Sequence, residues 1–232
     1  MNILSFDTCF DACSAAAGRG LRSLTPAISF AFEPMQKGHA EQLLPMVQTV
    51  MSEANLEFAA LDRIAVAFGP GTFTGTRICV SAARALALAT GAEIVAISSL
   101  QLMAMSPFIP ASPTAHIAIA TDARRGEVYL EVFDRHSLKS IVAPQCVEIE
   151  NAVRLLGMAP IVIAGSGAEM LAHAARQSGV EATAILPDLL PDAFDLLFAA
   201  AELPVPASVR PLYLRAPDAK PPAPSPVLGA GV

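Results

Sequence analysis

Three glycines in seven positions, Gly69, Gly71 and Gly75 in "GPGTFTGTR", stand between the apolar run "RIAVAFG" and a long alanine-rich segment. A glycine loop that follows a strand and opens a helix gathers backbone N–H groups at the positive end of a helix dipole, which is the chemistry of anion and phosphate binding. Asp7 and Thr8 close the first apolar run, "NILSFDT", and a carboxylate followed by a hydroxyl at a strand end can orient a metal or a water and touch a phosphate. Asp7, Thr8, Gly69, Gly71 and Gly75 therefore form the candidate nucleotide or anion site, with weak ATP or ADP binding as the cofactor expectation. Three features oppose it. A P-loop needs Lys followed by Ser or Thr, which Gly75-Thr76-Arg77 lacks; the spacing is GxGxxxG rather than GxGxxG; and Glu93 precedes the next strand, where ribose recognition needs an acid after it. These residues favour a tight turn that lets neighbouring elements approach closely. Asp7 stays open between a site acid and a surface strand end. A second loop, "AGSGAE" (164–169), is a weaker candidate of the same kind.

Other chemistries find no anchor. The histidines at 39, 116, 136 and 173 are dispersed, and Cys9, Cys13, Cys79 and Cys146 show neither a CxxC pair nor zinc-finger spacing. No GxSxG elbow is present, so neither a catalytic nor a metal residue is expected. "DARRGEVY" (122–129) concentrates charge at a strand-turn-strand corner. Asp122, Arg124 and Glu127, with Arg125, make a buried ion-pair corner, face a partner or a cleft, or simply decorate a hairpin, the reading the residues favour.

The elements that must position these residues alternate regularly. Strands at 2–8, 13–18 and 26–32 make an antiparallel meander; a helix at 38–54 with a kink at Pro45, a strand at 63–69, a helix at 76–90 and a strand at 93–98 follow. That order is a ribonuclease-H-like unit, the building block of actin-like ATPases, and in that class the acid at the end of the first strand orients metal or water. A second unit begins at His116 and looks truncated. The fold class is α/β with two such lobes: residues 1–105 plus about 191–205, then 106–190, then a C-terminal segment 206–215 carrying "PLYLR" and a disordered Pro-rich tail 216–232.

Composition bounds the partners. The 232 residues are 53% apolar and carry a net charge of −6, with no cluster of Lys and Arg, so the chain alone should hold RNA or DNA poorly. Asp7 interrupts the first apolar run, and Pro107, Pro110 and Pro113 break the longest uncharged one, so neither a signal peptide nor a membrane span is expected and the protein reads as cytoplasmic. The helix at 76–90 is apolar or small nearly all round, broken only by Arg77 and Arg84. A single sheet covers one side of such a helix, so another chain should cover the rest. The expected interface takes His39, Leu43, Leu44 and Val47 from the helix at 38–54, and Arg77, Val80, Ala83, Arg84 and Leu86 from the helix at 76–90. The alternative is cover by the second lobe of the same chain.

"ILSFDT", "HAEQLLPMV", "GPGTFTGTRI", "DARRGEVY" and "PLYLR" occur in this order and at fitting separations, and over residues 1–215 the chain resembles the TsaB family, also called YeaZ. The resemblance implies a non-catalytic dimerisation and scaffold subunit of the complex that makes N6-threonylcarbamoyladenosine at position 37 of tRNAs reading codons that begin with adenine. The implied partners are a TsaD-type transferase in a heterodimer and a TsaE-type ATPase, with a homodimer when the chain is alone and tRNA met only through the complex. It also implies that Ser99 and Met103 stand where the transferase carries its HxxxH metal ligands, and neither holds a hard divalent ion well. An ATP-using enzyme of the sugar- or acid-kinase type, built on Asp7 and the glycine loops, is the alternative. A metallopeptidase is disfavoured by the missing ligands.

Overall fold

The computed structural model describes residues 1–215; the expectation for the tail 216–232 lies outside the described residues. Ile3–Asp7 (β1), Ala12–Arg19 (β2) and Ala27–Pro34 (β3) pair as an antiparallel meander. Arg63–Ala67 (β4) and Glu93–Ile97 (β5) add in parallel beyond β1, giving the order β3-β2-β1-β4-β5. His39–Glu53 (α1) and Phe73–Thr90 (α2) are the connecting helices, and Ser99–Ala104 (α3) follows β5. α1 runs through Pro45 as one helix.

The same plan recurs. His116–Arg124 (β6), Glu127–Asp134 (β7) and Ser140–Glu148 (β8) form a second meander, and Ile161–Ala164 (β9) and Ala182–Ile185 (β10) extend it in parallel beyond β6. The order β10-β9-β6-β7-β8 repeats that of the first sheet strand for strand. The second lobe is therefore reduced in its helices rather than its sheet: Ile149–Leu156 (α4) and Ala168–Gln177 (α5) have 8 and 10 residues against 15 and 18 in α1 and α2. β10 has no counterpart in the sequence reading. Its four residues, "ATAI", are too few to show a period, and only pairing with β9 defines it.

The first sheet is covered on both faces, which is why β2 reads as the almost uninterrupted small-residue run "ACSAAAGR". Period-two alternation sorts the side chains of β1. Leu4 and Phe6 join the core under α1 and α2, whereas Ile3 joins a second core formed with Ala193–Ala199 (α6). Ser5 faces the same way as Ile3, and its hydroxyl donates to the Ala193 carbonyl at 2.7 Å. α6 returns from the end of the second lobe to this face, capped by Asp192, whose carboxylate accepts from the Phe194 N–H. Burying Leu196 and Leu197 there is worth about 1.5–3 kcal/mol each.

Two connections hold the lobes together. Leu100 and Met103 of α3 pack with Ile117, Ile119 and Phe133 of the second sheet. Beyond α6 the chain runs back as an extended strap: Leu212 N–H donates to the Phe68 carbonyl at 2.7 Å, and Arg215 donates to the Ala123 carbonyl and pairs with Glu127 at 3.4 Å.

Candidate functional site

The glycine loop is a packing device. Thr72 caps α2, its hydroxyl accepting from the Gly75 N–H at 3.0 Å, so the helix begins at Phe73 and Gly75 lies inside its first turn. The sequence reading began the helix at Thr76; the Thr at an N-cap spacing from Gly75 was the available signal. This turn lies directly on the β1–β2 connection. A methyl group on Gly71 would run into the Cys9 carbonyl, and one on Gly75 into the Thr8 carbonyl. Gly69 has φ +104°, and a side chain there would meet the Leu212 carbonyl of the strap at 2.9 Å. Thr8 donates its hydroxyl to the Gly75 carbonyl at 2.8 Å. The Thr8 hydroxyl and the Gly75 N–H are thus engaged within the chain, and close approach is what the glycines serve. The second loop behaves alike: the Gly167 N–H donates to the Ala120 carbonyl and Ser166 accepts from the Asp122 N–H.

Asp7 is not a surface strand end. Its side chain is 1% exposed, Oδ2 accepts the Cys9 N–H at 3.0 Å, and Oδ1 is buried without a hydrogen-bond partner. Burial pushes the carboxyl up to about 7, hydrogen bonds from Cys9 and Thr8 oppose the shift, and the charge of Asp192 adds to it. The thiols of Cys9 and Cys79 stand beside it, the ligand atoms of all three side chains lying within 4.8 Å of one another. Sequence spacing concealed this cluster, since Cys9 and Cys79 are far apart in the chain. The signal was indirect: Gly75 rests on Thr8, and one helical turn further on, Cys79 must face β1.

The helix pair divides into a buried and an exposed side. Of the residues expected at an interface, His39, Leu43, Val47, Val80 and Ala83 are buried inside the first lobe. His39 Nε2 is hydrogen-bonded to the Phe10 carbonyl at 2.9 Å, and Ala83, with 0% exposure, packs in the core beneath α1 and α2. A helix this rich in small residues sinks deep enough for the sheet and α1 to take them. Leu44, Arg77 and Arg84 are exposed and Leu86 is half-buried. Arg77 is held by its own chain, its guanidinium stacked 3.9 Å from the Phe73 ring centroid and its Nε donating to the Tyr213 hydroxyl at 2.8 Å. Ala85 and Ala89, two of the alanines that the sequence offers for close approach by another helix, are exposed on α2, and so is Leu88, which sequence reasoning passed over, to 90%.

Between the helices runs an apolar groove of about 510 Å³. Leu44, Val47 and Gln48 of α1 line one side, Leu86, Ala89 and Thr90 of α2 the other, and Phe58 and Ala59 complete the lining. None of these lining residues is charged. The second lobe does not cover it; that lobe joins the first through α3 and the strap.

The charged corner is a hairpin. Asp122 and Arg124 are exposed, the Asp122 carboxylate accepting the Arg124 N–H at 2.7 Å. No buried ion pair forms between Asp122 and Arg124. Glu127 turns instead to Arg215 of the strap. Ser99 and Met103, both buried in α3, face the chain's own interior, and the Ser99 hydroxyl donates to the Pro70 carbonyl.

Two sheets of identical strand order, each a meander extended by parallel strands, define a two-lobed α/β protein built from a repeated ribonuclease-H-like unit. A family model described as TsaD, tRNA N6-adenosine threonylcarbamoyltransferase, matches residues 33–207. The tRNA threonylcarbamoyladenosine biosynthesis protein TsaB of Escherichia coli K12 is 29% identical over 229 residues, covering 93% of this chain and 95% of that protein. An uncharacterized Mycobacterium tuberculosis protein is 32% identical over 185 residues, 80% of this chain and 79% of the other. YeaZ from Pseudomonas aeruginosa superposes with a TM-score of 0.74 at 28% identity, over 92% of this chain and 99% of that one. The chain belongs to this threonylcarbamoyltransferase family, as a member of its TsaB (YeaZ) branch. Among the described residues no helix is long and apolar enough to cross a membrane.

Proposed function

We propose that this chain is the accessory, non-catalytic scaffold subunit of the complex that forms N6-threonylcarbamoyladenosine at position 37 of tRNAs reading codons that begin with adenine, and that it supports a TsaD-type transferase. It works in the cytoplasm, pairs with that paralogue through α1 and α2, pairs with a second copy of itself when the paralogue is absent, and receives a TsaE-type ATPase in the assembled complex. tRNA is held by the partners, in keeping with the net charge of −6.

The observation that carries this reading is the uncharged groove between α1 and α2 with Leu44 and Leu88, 50% and 90% exposed, on the same two helices. Apolar surface of that kind, with the polar Gln48 among its lining residues, is the anatomy of a subunit contact. The engaged hydroxyls of Thr8 and Ser99 and the filled space around Gly71 and Gly75 support a role without its own chemistry.

Co-expression with a TsaD-type paralogue tests the proposal. The two should co-purify as a heterodimer by sedimentation, and the isolated chain should neither bind ATP with magnesium tightly in calorimetry nor turn it over. Tight binding with turnover, or no association with the paralogue at any concentration, would overturn it.

A further inference from the structure

We propose that Asp7, Cys9 and Cys79 form a closed structural site for one thiophilic divalent cation, of which zinc is the natural occupant. Two independent observations meet there. The first is the ligand set: two thiols and a carboxylate from three separate pieces of backbone, the end of β1, the β1–β2 connection and the second turn of α2, with ligand atoms all within 4.8 Å of one another. Ligands on a tetrahedral zinc at about 2.3 Å for sulfur stand about 3.8 Å apart, so the three side chains need only small rotations to share one ion. The second is the unpartnered Asp7 Oδ1, buried in a side chain that is 1% exposed.

The surroundings suit the ion. The Cys9 thiol donates to the Ala67 carbonyl at 3.7 Å and the Cys79 thiol to that of Phe6 at 3.6 Å, so once the thiols lose their protons a carbonyl is at hand to complete four-coordination. The Cys9 N–H, donating to Asp7 Oδ2, holds the carboxylate and leaves Oδ1 available to an ion. Two sulfurs select zinc over magnesium or calcium. On binding, each thiol gives up its proton, which leaves to solvent as the ion enters, and the carboxylate binds ionised. Cys9 and Cys79 are fully buried, and the turn bearing Gly71 and Gly75 lies over residues 8 and 9. The ion therefore enters while the chain folds, and its role is to pin α2 to β1.

The test uses untagged full-length protein, refolded with and without zinc chloride and separately with cobalt chloride. We expect about one zinc per chain by elemental analysis after gel filtration, a thermal midpoint raised by several degrees over the metal-free protein, and a thiolate-to-cobalt charge-transfer band in the near ultraviolet. Cys79→Ala and Cys9→Ala, each checked for native circular dichroism, should lose the band and most of the zinc. The wild type alone decides the matter if a variant does not fold: zinc below a tenth of an equivalent, an unchanged midpoint and no charge-transfer band overturn the proposal, as does full zinc content in a folded Cys79→Ala.

Discussion

Thr8 donates its hydroxyl to the carbonyl of Gly75 at 2.8 Å, and the same glycine has no room for a side chain against the Thr8 carbonyl. The first strand's end and the first turn of α2 are thereby packed backbone to backbone. Gly75→Ala should cost about 2 kcal/mol or more, because the clash is with main chain that cannot rotate away. Chemical denaturation followed by circular dichroism measures it. A phosphate-holding loop would behave differently, keeping its stability and losing nucleotide affinity, so calorimetry with ATP on the same variant separates the two roles.

What the sequence made legible follows from period and punctuation. Strand–helix alternation in the first lobe and the start of a second unit at His116 rest on hydrophobic patterns long enough to read. The two helices at 38–54 and 76–90 exist as elements, the second beginning three residues earlier than read, yet five of the nine residues named for an interface, His39, Leu43, Val47, Val80 and Ala83, lie inside. An alanine-rich helix carries too weak a contrast between its faces for sequence to say which alanines turn outward, and the depth to which it sinks depends on the sheet beneath. The cluster of Asp7 with two cysteines was hidden for another reason. It depends on contacts between residues about seventy positions apart, which no local spacing reports.

The exposed side of α2 yields the sharpest functional prediction. Ala85→Arg and Leu88→Arg place charge on exposed positions of α2, the helix that supplies one wall of the apolar groove. They should leave the isolated chain folded, with a thermal midpoint within a degree or two of wild type, and weaken the heterodimer at least a hundredfold in sedimentation. Ala83→Arg, at a position with 0% exposure, should instead unfold the chain. An intact complex with both exposed variants would remove α2 from the interface.

The strap makes a separate claim. Tyr213 receives the Arg77 Nε–H and its ring lies 5.1 Å from that of Phe73, while Arg215 reaches Ala123 and Glu127 in the other lobe. Arg215→Ala should speed hydrogen exchange around residues 122–128 and lower stability by about 1 kcal/mol. Tyr213→Phe, which keeps the ring and removes the hydroxyl, should cost less than Tyr213→Ala. Exchange confined to the strap itself in Arg215→Ala would mean that the lobes are held by α3 and the Ser98–Glu131 hydrogen bond of 2.8 Å without it.

Burial, and then the charge of Asp192, hold the Asp195 carboxyl up at about 6, above its ordinary 3.8, and burial also raises Asp192 and Glu131. A carboxyl raised in the folded state binds its proton more tightly there than in the unfolded chain. Its contribution therefore favours folding below about pH 4, is lost as the pH climbs towards 6, and is flat above. Asp195 sits in the first turn of α6 beside the Asp192 cap, so the helix dipole offsets part of the penalty and solvent screens more of it, leaving about 1 kcal/mol at stake. Asp195→Asn should be more stable than wild type at pH 7.5, and the gain should disappear at pH 4. Thermal melts of both proteins across that range check it, and parallel curves would mean that Asp195 titrates as it does in the unfolded chain.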